Sequence, residues 1–255
     1  MNPLKQTFHL NSEHWASLGP ISDQEKQVRI DLATAYQLAY LKNWDDGIYT
    51  HISAAIPNQP DVYLINQFGL RFDEVTPLNL VKVNILGIVL IGAGPANVSG
   101  FAIHGAVHAA RKDAMCVFHL HNESSIAVSA QAKGLLPLSQ HAMRFYKDLA
   151  YHPYQGLALS ADEQNELIGN LGAKKALLLK NHGSLVCGTS VQQAFYLMHT
   201  LDKACSIQLK VHDLMNDAIC PDEHICNKTY QQLCLDGDAE GQIEWLAFER
   251  WLLNS

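Results

Sequence analysis

Met115-Cys116-Val117-Phe118-His119-Leu120-His121 is the stretch on which the fold turns. It alternates and is rich in β-formers, which predicts a buried strand. Successive side chains on a strand point to opposite faces, so His119 and His121 project to one side and Cys116, Phe118 and Leu120 to the other. Two imidazoles on one face stand roughly 6–7 Å apart at the backbone, near enough to converge on one small cation. Asn181-His182-Gly183 follows the apolar run Ala176-Leu177-Leu178-Leu179. A histidine beside a glycine at a strand-end turn is a third candidate ligand. Three histidines leave one position open on a four-coordinate metal, the catalytic rather than the structural pattern. The chain has 13 histidines, so the bare His-x-His pattern leaves a packing role and a metal role both open.

The bulk numbers narrow the class. A chain of 255 residues forms one large domain or two small ones. Its 48% hydrophobic and 17% charged content suits a compact globule and disfavours disorder. A net charge of −7 argues against a general nucleic-acid binder. Residues 1–20 are mixed and polar, without a signal pattern. The apolar run from Leu80 to Ala93 is interrupted by Lys82 and Asn84 and is too short to span a bilayer. No membrane partner is expected. The six cysteines include no Cys-x-x-Cys pair and fit reduced, mostly core thiols of a cytoplasmic protein.

In chain order, residues 1–20 read as an arm ending at Gly19-Pro20. Ser22-Asp23-Gln24-Glu25 has the form of a capping box, opening a helix to about Asn43 that Asp45-Asp46-Gly47 terminates. Ile48–Ile56 and Val62–Ile65 read as a hairpin around Asn58-Gln59-Pro60-Asp61. Thr76-Pro77 is a helix start by composition, while Leu80–Leu90 reads mostly as strand. Residues 92–100 are a loop without a nucleotide-binding glycine pattern. A helix over Phe101–Arg111 carries His104 and His108 one turn apart. Both read as structural, because no glutamate accompanies them as in His-Glu-x-x-His. Asn122–Ser125 ends the histidine strand, and Ile126 begins a helix. Ala161–Leu171 and Ser190 to about Met215 are helical by periodicity. Trp245, Phe248, Trp251 and Leu252 form an apolar stripe that docks on its own domain or on a neighbour.

Four segments, in order and correctly spaced, resemble the class II aldolase/adducin family: Asn97 to His104, Ala109 to Asp113, Phe118 to His121, and Leu179 to Gly183. The resemblance spans about residues 25–215. It implies a three-layer α/β/α fold with a central mixed, largely antiparallel sheet. After the arm at 1–20, residues 21–255 then form a single domain with a C-terminal helical extension. It further implies a divalent metal on His119, His121 and His182, zinc first, with manganese or iron admissible. Gly69 and Ser99 fall at substrate-contacting positions, and a homo-oligomer, a cyclic tetramer, is expected.

The departures matter as much. In the family's sugar-phosphate aldolases a glutamate 19 residues before the first ligand moves protons; here that residue is Gly100. Gln67-Phe68 replaces a small hydroxyl residue, His51 stands where many members have asparagine, and Val98 where many have serine. A phosphorylated sugar is therefore disfavoured. Replacement acid/bases are sought at Tyr151 and His141 first, then Glu123. The patterns around Gly100-Phe101 and Gln140–Tyr146 are more similar to the adducin-like bacterial branch. The expected function is a metal-dependent lyase of aldolase or decarboxylase type acting on a small hydroxy- or keto-carbonyl compound. A noncatalytic adducin-like interaction protein and an iron-dependent oxygenase on the same three histidines are the alternatives.

Overall fold

The computed structural model describes residues 10–92, 94, 98–156, 160–211 and 218–255, and not the side chains at 98, 99, 101 and 161. The chain begins with helices α1 (Ser12–Ala16) and α2 (Asp23–Leu41), then strands β1 (His51–Ala55), β2 (Val62–Ile65), β3 (Val81–Asn84) and β4 (Val89–Ile91). Helix α3 (Val98–Ala110), strand β5 (Cys116–Leu120), helices α4 (Glu123–Ser129) and α5 (Gln140–Met143) and strand β6 (Leu149–His152) follow. Next come helix α6 (Ala161–Leu171) and strands β7 (Ala176–Leu179) and β8 (Gly183–Gly188). Helices α7 (Val191–Leu209), α8 (Glu223–Leu233) and α9 (Gln242–Leu253) close the chain.

Among the described residues, the eight strands share one sheet, ordered β4-β3-β2-β1-β5-β8-β7-β6. Every neighbouring pair is antiparallel except β6 and β7. A parallel pair needs a crossover, and α6 supplies it. The fold is therefore α/β, with the mixed, largely antiparallel sheet expected of the resemblance.

Strand β5 lies near the middle of the sheet, and its alternation separates two apolar layers. Cys116, Phe118 and Leu120 face Leu32 and Tyr36 of α2, Phe195 and Met198 of α7, and Trp245 and Leu252 of α9. Val117 faces the other way, onto Ile103 and Val107 of α3 and Leu167 and Leu171 of α6. Each of these side chains, fully buried, contributes on the order of 1.5–3 kcal/mol. The C-terminal stripe thus docks on its own chain. All six cysteines are unpaired. Among the described residues, no helix is long and apolar enough to cross a membrane.

Several local expectations are revised. Ser22 Oγ accepts from the Glu25 N–H at 3.1 Å, but the Glu25 carboxylate does not close a capping box. It is buried and binds Arg29 at 3.0 Å and Lys82 at 2.8 Å, because an unpaired Arg29 at that depth would be far costlier than an open cap. Thr76-Pro77 starts no helix. Thr76 and Asn79 bond to each other's backbone N–H, and the chain then enters β3, whose pairing with β2 overrides local propensity. Leu80–Leu90 is a hairpin, its turn held by the Asn84 side chain, which accepts from the Leu86 and Ile88 N–H groups at 3.0 Å. Strand β1 starts at His51 rather than Ile48, and α4 starts at Glu123 rather than Ile126. Helix α7 ends at Leu209, and the expected extension toward Met215 reaches residues outside those described.

Candidate metal centre

Strand β5 holds His119 in the sheet, buried, opposite His51 of β1 and Leu185 of β8. Its Nδ1–H donates to the Ser184 carbonyl at 3.1 Å, which leaves the lone pair on Nε2. His121 lies just past the strand end. Its Nδ1 donates to Asp46 Oδ2 at 2.9 Å, so Nε2 is again the open nitrogen.

His182 arrives on the tight turn between β7 and β8. Asn181 takes a left-handed conformation, with φ 59°, which asparagine tolerates better than most residues. Its N–H donates to Ser129 Oγ at 3.0 Å. Gly183 must be glycine, because a Cβ there would stand 2.3 Å from the Leu120 carbonyl oxygen. That close approach of β8 to the end of β5 brings the histidines together. His182 Nε2 lies 3.0 Å from His121 Nε2, and the His119 ring centroid is 4.9 Å from that of His182 and 5.1 Å from that of His121.

The three rings offer one nitrogen each, all within 4.8 Å of one another. A tetrahedral zinc site has ligand nitrogens about 3.3 Å apart, from bonds of about 2.0–2.1 Å, so small side-chain shifts close the set. Two bare lone pairs at 3.0 Å repel, and a proton or a cation between them relieves this. Burial pushes the His119 pKa well below its ordinary value, with the His182 and His121 charges adding to it. Burial, then His121 and His152, push His182 down to about 4. Both are neutral at pH 7, the form a metal needs. Three imidazoles, two of them with the tautomer set by a hydrogen bond on Nδ1, fit a divalent ion of the zinc type.

Beside His121 opens a cleft of about 460 Å³, lined among others by Lys42, Asp45, Asp46, Glu123 and Asp202. On the other side, the Tyr154 ring stands 6.3 Å from that of His182, in a recess shared with His152 and Glu163.

The expected acid/bases scatter. Glu123 is the first residue of α4, exposed, and lines the cleft with His121. Tyr151 stands on the other face of the sheet from His119, since it is in register with Leu178 and Ser184 whereas His119 is in register with Leu185. Its hydroxyl accepts from the Leu135 N–H at 2.9 Å. His141 is exposed on α5 and belongs to neither the cleft nor the recess. Gly69 occupies an exposed turn with φ 97°, and the Ser99 side chain lies outside the described residues.

Three neighbours of the triad escaped the sequence reading: Asp46, Tyr154 and His51. Asp46 read only as a helix terminator, because no local pattern announces a partner 75 positions away. Tyr154 sits three residues past Tyr151, beyond the end of β6. His51 departs from the family pattern, but nothing in the sequence gives it a partner in space.

The comparisons with known proteins come down on the same fold. The profile of the Class II Aldolase and Adducin N-terminal domain matches residues 30–209. A solved aldolase II superfamily protein from Pseudomonas syringae is similar at 43% identity and TM-score 0.87, over 92% of this chain and 95% of that one. L-fuculose 1-phosphate aldolase from Glaciozyma antarctica is similar at 26% identity and TM-score 0.79, over 96% and 97%. Alpha-adducin of Mus musculus is 43% identical over 73% of this chain, which corresponds to 26% of that much longer protein. The chain belongs to the class II aldolase and adducin family.

Proposed function

We propose that the protein is a divalent-metal-dependent lyase, aldolase- or decarboxylase-like, that cleaves a carbon–carbon bond in a small unphosphorylated hydroxy-carbonyl or keto-acid compound. The observation that carries this reading is the convergence of three imidazole nitrogens within 4.8 Å at the edge of an open cleft. His119, His121 and His182 would hold the ion, zinc by preference with manganese or iron as alternatives. A bound divalent ion supplies Lewis acidity toward a substrate carbonyl.

The chain's own groups do the rest. Asp46 and the Ser184 carbonyl orient two of the ligands. Glu123 on the His121 side and Tyr154 on the His182 side are the groups suited to hold or move a proton. Position 100 contributes no proton carrier. Asp45, Asp46, Glu123 and Asp202 face a single lysine, Lys42, across the cleft. Such a lining repels a doubly charged phosphate and supports an unphosphorylated substrate. The protein is expected to work in the cytoplasm as a homo-oligomer, a tetramer.

The test is a turnover screen. Purified protein is stripped of metal, reloaded separately with zinc, manganese or iron(II), and offered paired phosphorylated and unphosphorylated hydroxy-ketones and keto-acids. Metal-dependent release of an aldehyde or of CO2 from an unphosphorylated member, abolished in His182→Ala, supports the reading. Absence of turnover under every metal, or a strict need for phosphate, contradicts it.

A further inference from the structure

Gly100 sits in the first turn of α3, although glycine is the poorest helix former after proline. Its φ lies outside the left-handed region, so backbone strain does not explain it. A side chain does. A Cβ at position 100 would stand 2.6 Å from Cδ2 and Nε2 of His51 and 2.7 Å from its Cε1, closer than non-bonded atoms approach.

The His51 ring has little freedom to give way. Its residue is 3% exposed, and its backbone is held opposite His119 in the β1–β5 ladder. The ring stacks against His119 with centroids 6.1 Å apart. The His104 ring meets it at right angles, 5.6 Å away. His104 is itself fixed by a polar column with one allowed direction. His108 Nδ1 donates to the Ala114 carbonyl at 3.0 Å, so its Nε2 accepts from Ser53 Oγ at 2.7 Å. Ser53 Oγ must then accept from His104 Nδ1, at 2.6 Å. The carbonyl at the far end, which can only accept, sets the whole sequence.

We infer that His51 and Gly100 are an interlocked pair that walls the metal centre. The imidazole fills the volume into which any side chain at position 100 would project, and by filling it holds the His119 ring in its ligand orientation. His51 is thus a positioning residue, and the buried column His104–Ser53–His108 is its brace. At this wall an imidazole from β1 stands in place of a side chain at position 100. The inference rests on the metal-centre reading only in its second half, the orientation of His119.

The test is a double-mutant cycle on the full chain with Gly100→Ala, His51→Ala and the pair, with His51→Asn as a parallel background. Melting of chelator-treated protein reads the interlock without reference to metal. Gly100→Ala alone is expected to lower Tm by about 3–9 °C. In either His51 variant the same change is expected to cost less than about 1 °C. An equal loss in all backgrounds, no loss in the parent, or failure of Gly100→Ala to fold with and without His51 overturns the interlock. A Gly100→Ala chain that folds only once His51 is replaced supports it.

The visible absorption of bound cobalt(II) reads the orientation of His119. Gly100→Ala is expected to shift the bands in the parent and to leave them unchanged in His51→Ala. Identical spectra across the cycle overturn the positioning role. Failure of the parent to bind cobalt removes the metal-centre reading and with it the second half of the inference, while the melting data still judge the first.

Discussion

The Asp46 carboxylate and the His121 imidazole meet at 2.9 Å, a contact between the loop that follows helix α2 and the residue just past strand β5. The bond fixes which nitrogen of His121 faces the triad. Asp46 is itself about half exposed, so its removal should act on ligand orientation far more than on stability. Asp46→Ala is expected to weaken metal binding by about 10–100-fold with the circular dichroism spectrum unchanged. Competition against a chromophoric chelator measures it, and an unaltered affinity would refute the role.

Gly183→Ala tests the packing that delivers His182. The added carbon would press on the Leu120 carbonyl, and neither backbone can yield without opening the β5–β8 ladder. A loss of about 1–3 kcal/mol is expected in urea unfolding, together with weaker metal binding. A variant as stable as the parent would mean that the strand ends tolerate separation.

A second buried charge network stabilises the fold away from the site. Arg144, almost fully buried, binds Glu240 through two nitrogens, one of them at 2.7 Å, and Asp148 at 3.2 Å. Glu240→Ala leaves the guanidinium with one partner in a dry setting, at an expected cost of about 3–5 kcal/mol by denaturant titration. The metal affinity of the folded fraction should not change.

Acid should unfold the metal-free protein through its buried histidines. Burial, then His121 and His182, lowers His51 to about 3, and His182 falls to about 4. His119 and His104 are also depressed, burial being the main cause. In the unfolded chain the same groups protonate near 6.5. Their folded values are depressed, so the unfolded state binds more protons in between. The stability they carry is complete above about pH 6.5 and is lost as pH falls toward 4 and 3. Calorimetric Tm of chelator-treated protein should drop steadily from pH 7 to pH 4; a flat profile to pH 5 would show that these histidines are not buried and neutral.

The convergence of His119, His121 and His182 is legible in part from local signals, alternation on one strand for the first two and a glycine-flanked turn for the third, and in part from the family resemblance that joins them. The sheet is legible from local composition, since β-branched and aromatic residues mark β1, β2 and β5 and an apolar leucine run marks β7. What surrounds the triad is not, because those contacts join elements distant in sequence. Asp46 read as a helix end and Gly100 as a missing acid, whereas in space each answers to a particular histidine. Tyr151 is the tyrosine the sequence offers as an acid/base, yet strand parity places it on the face away from His119, and Tyr154 stands beside His182 instead. The Thr76-Pro77 helix start fails for a different reason: its local propensity is real, but pairing within β2–β3–β4 decides the outcome, whereas the strand reading of Leu80–Leu90 holds for β3 and β4 on either side of a turn.

The central claim is that His119, His121 and His182 bind one divalent ion between them. Element analysis of the purified protein, alongside His182→Ala shown to be folded by its melting transition, tests it most directly. About one equivalent per chain in the parent, lost in the variant, is the predicted result. Equal metal content in the two proteins, or none in the parent after incubation with zinc, manganese or iron(II), would contradict the claim.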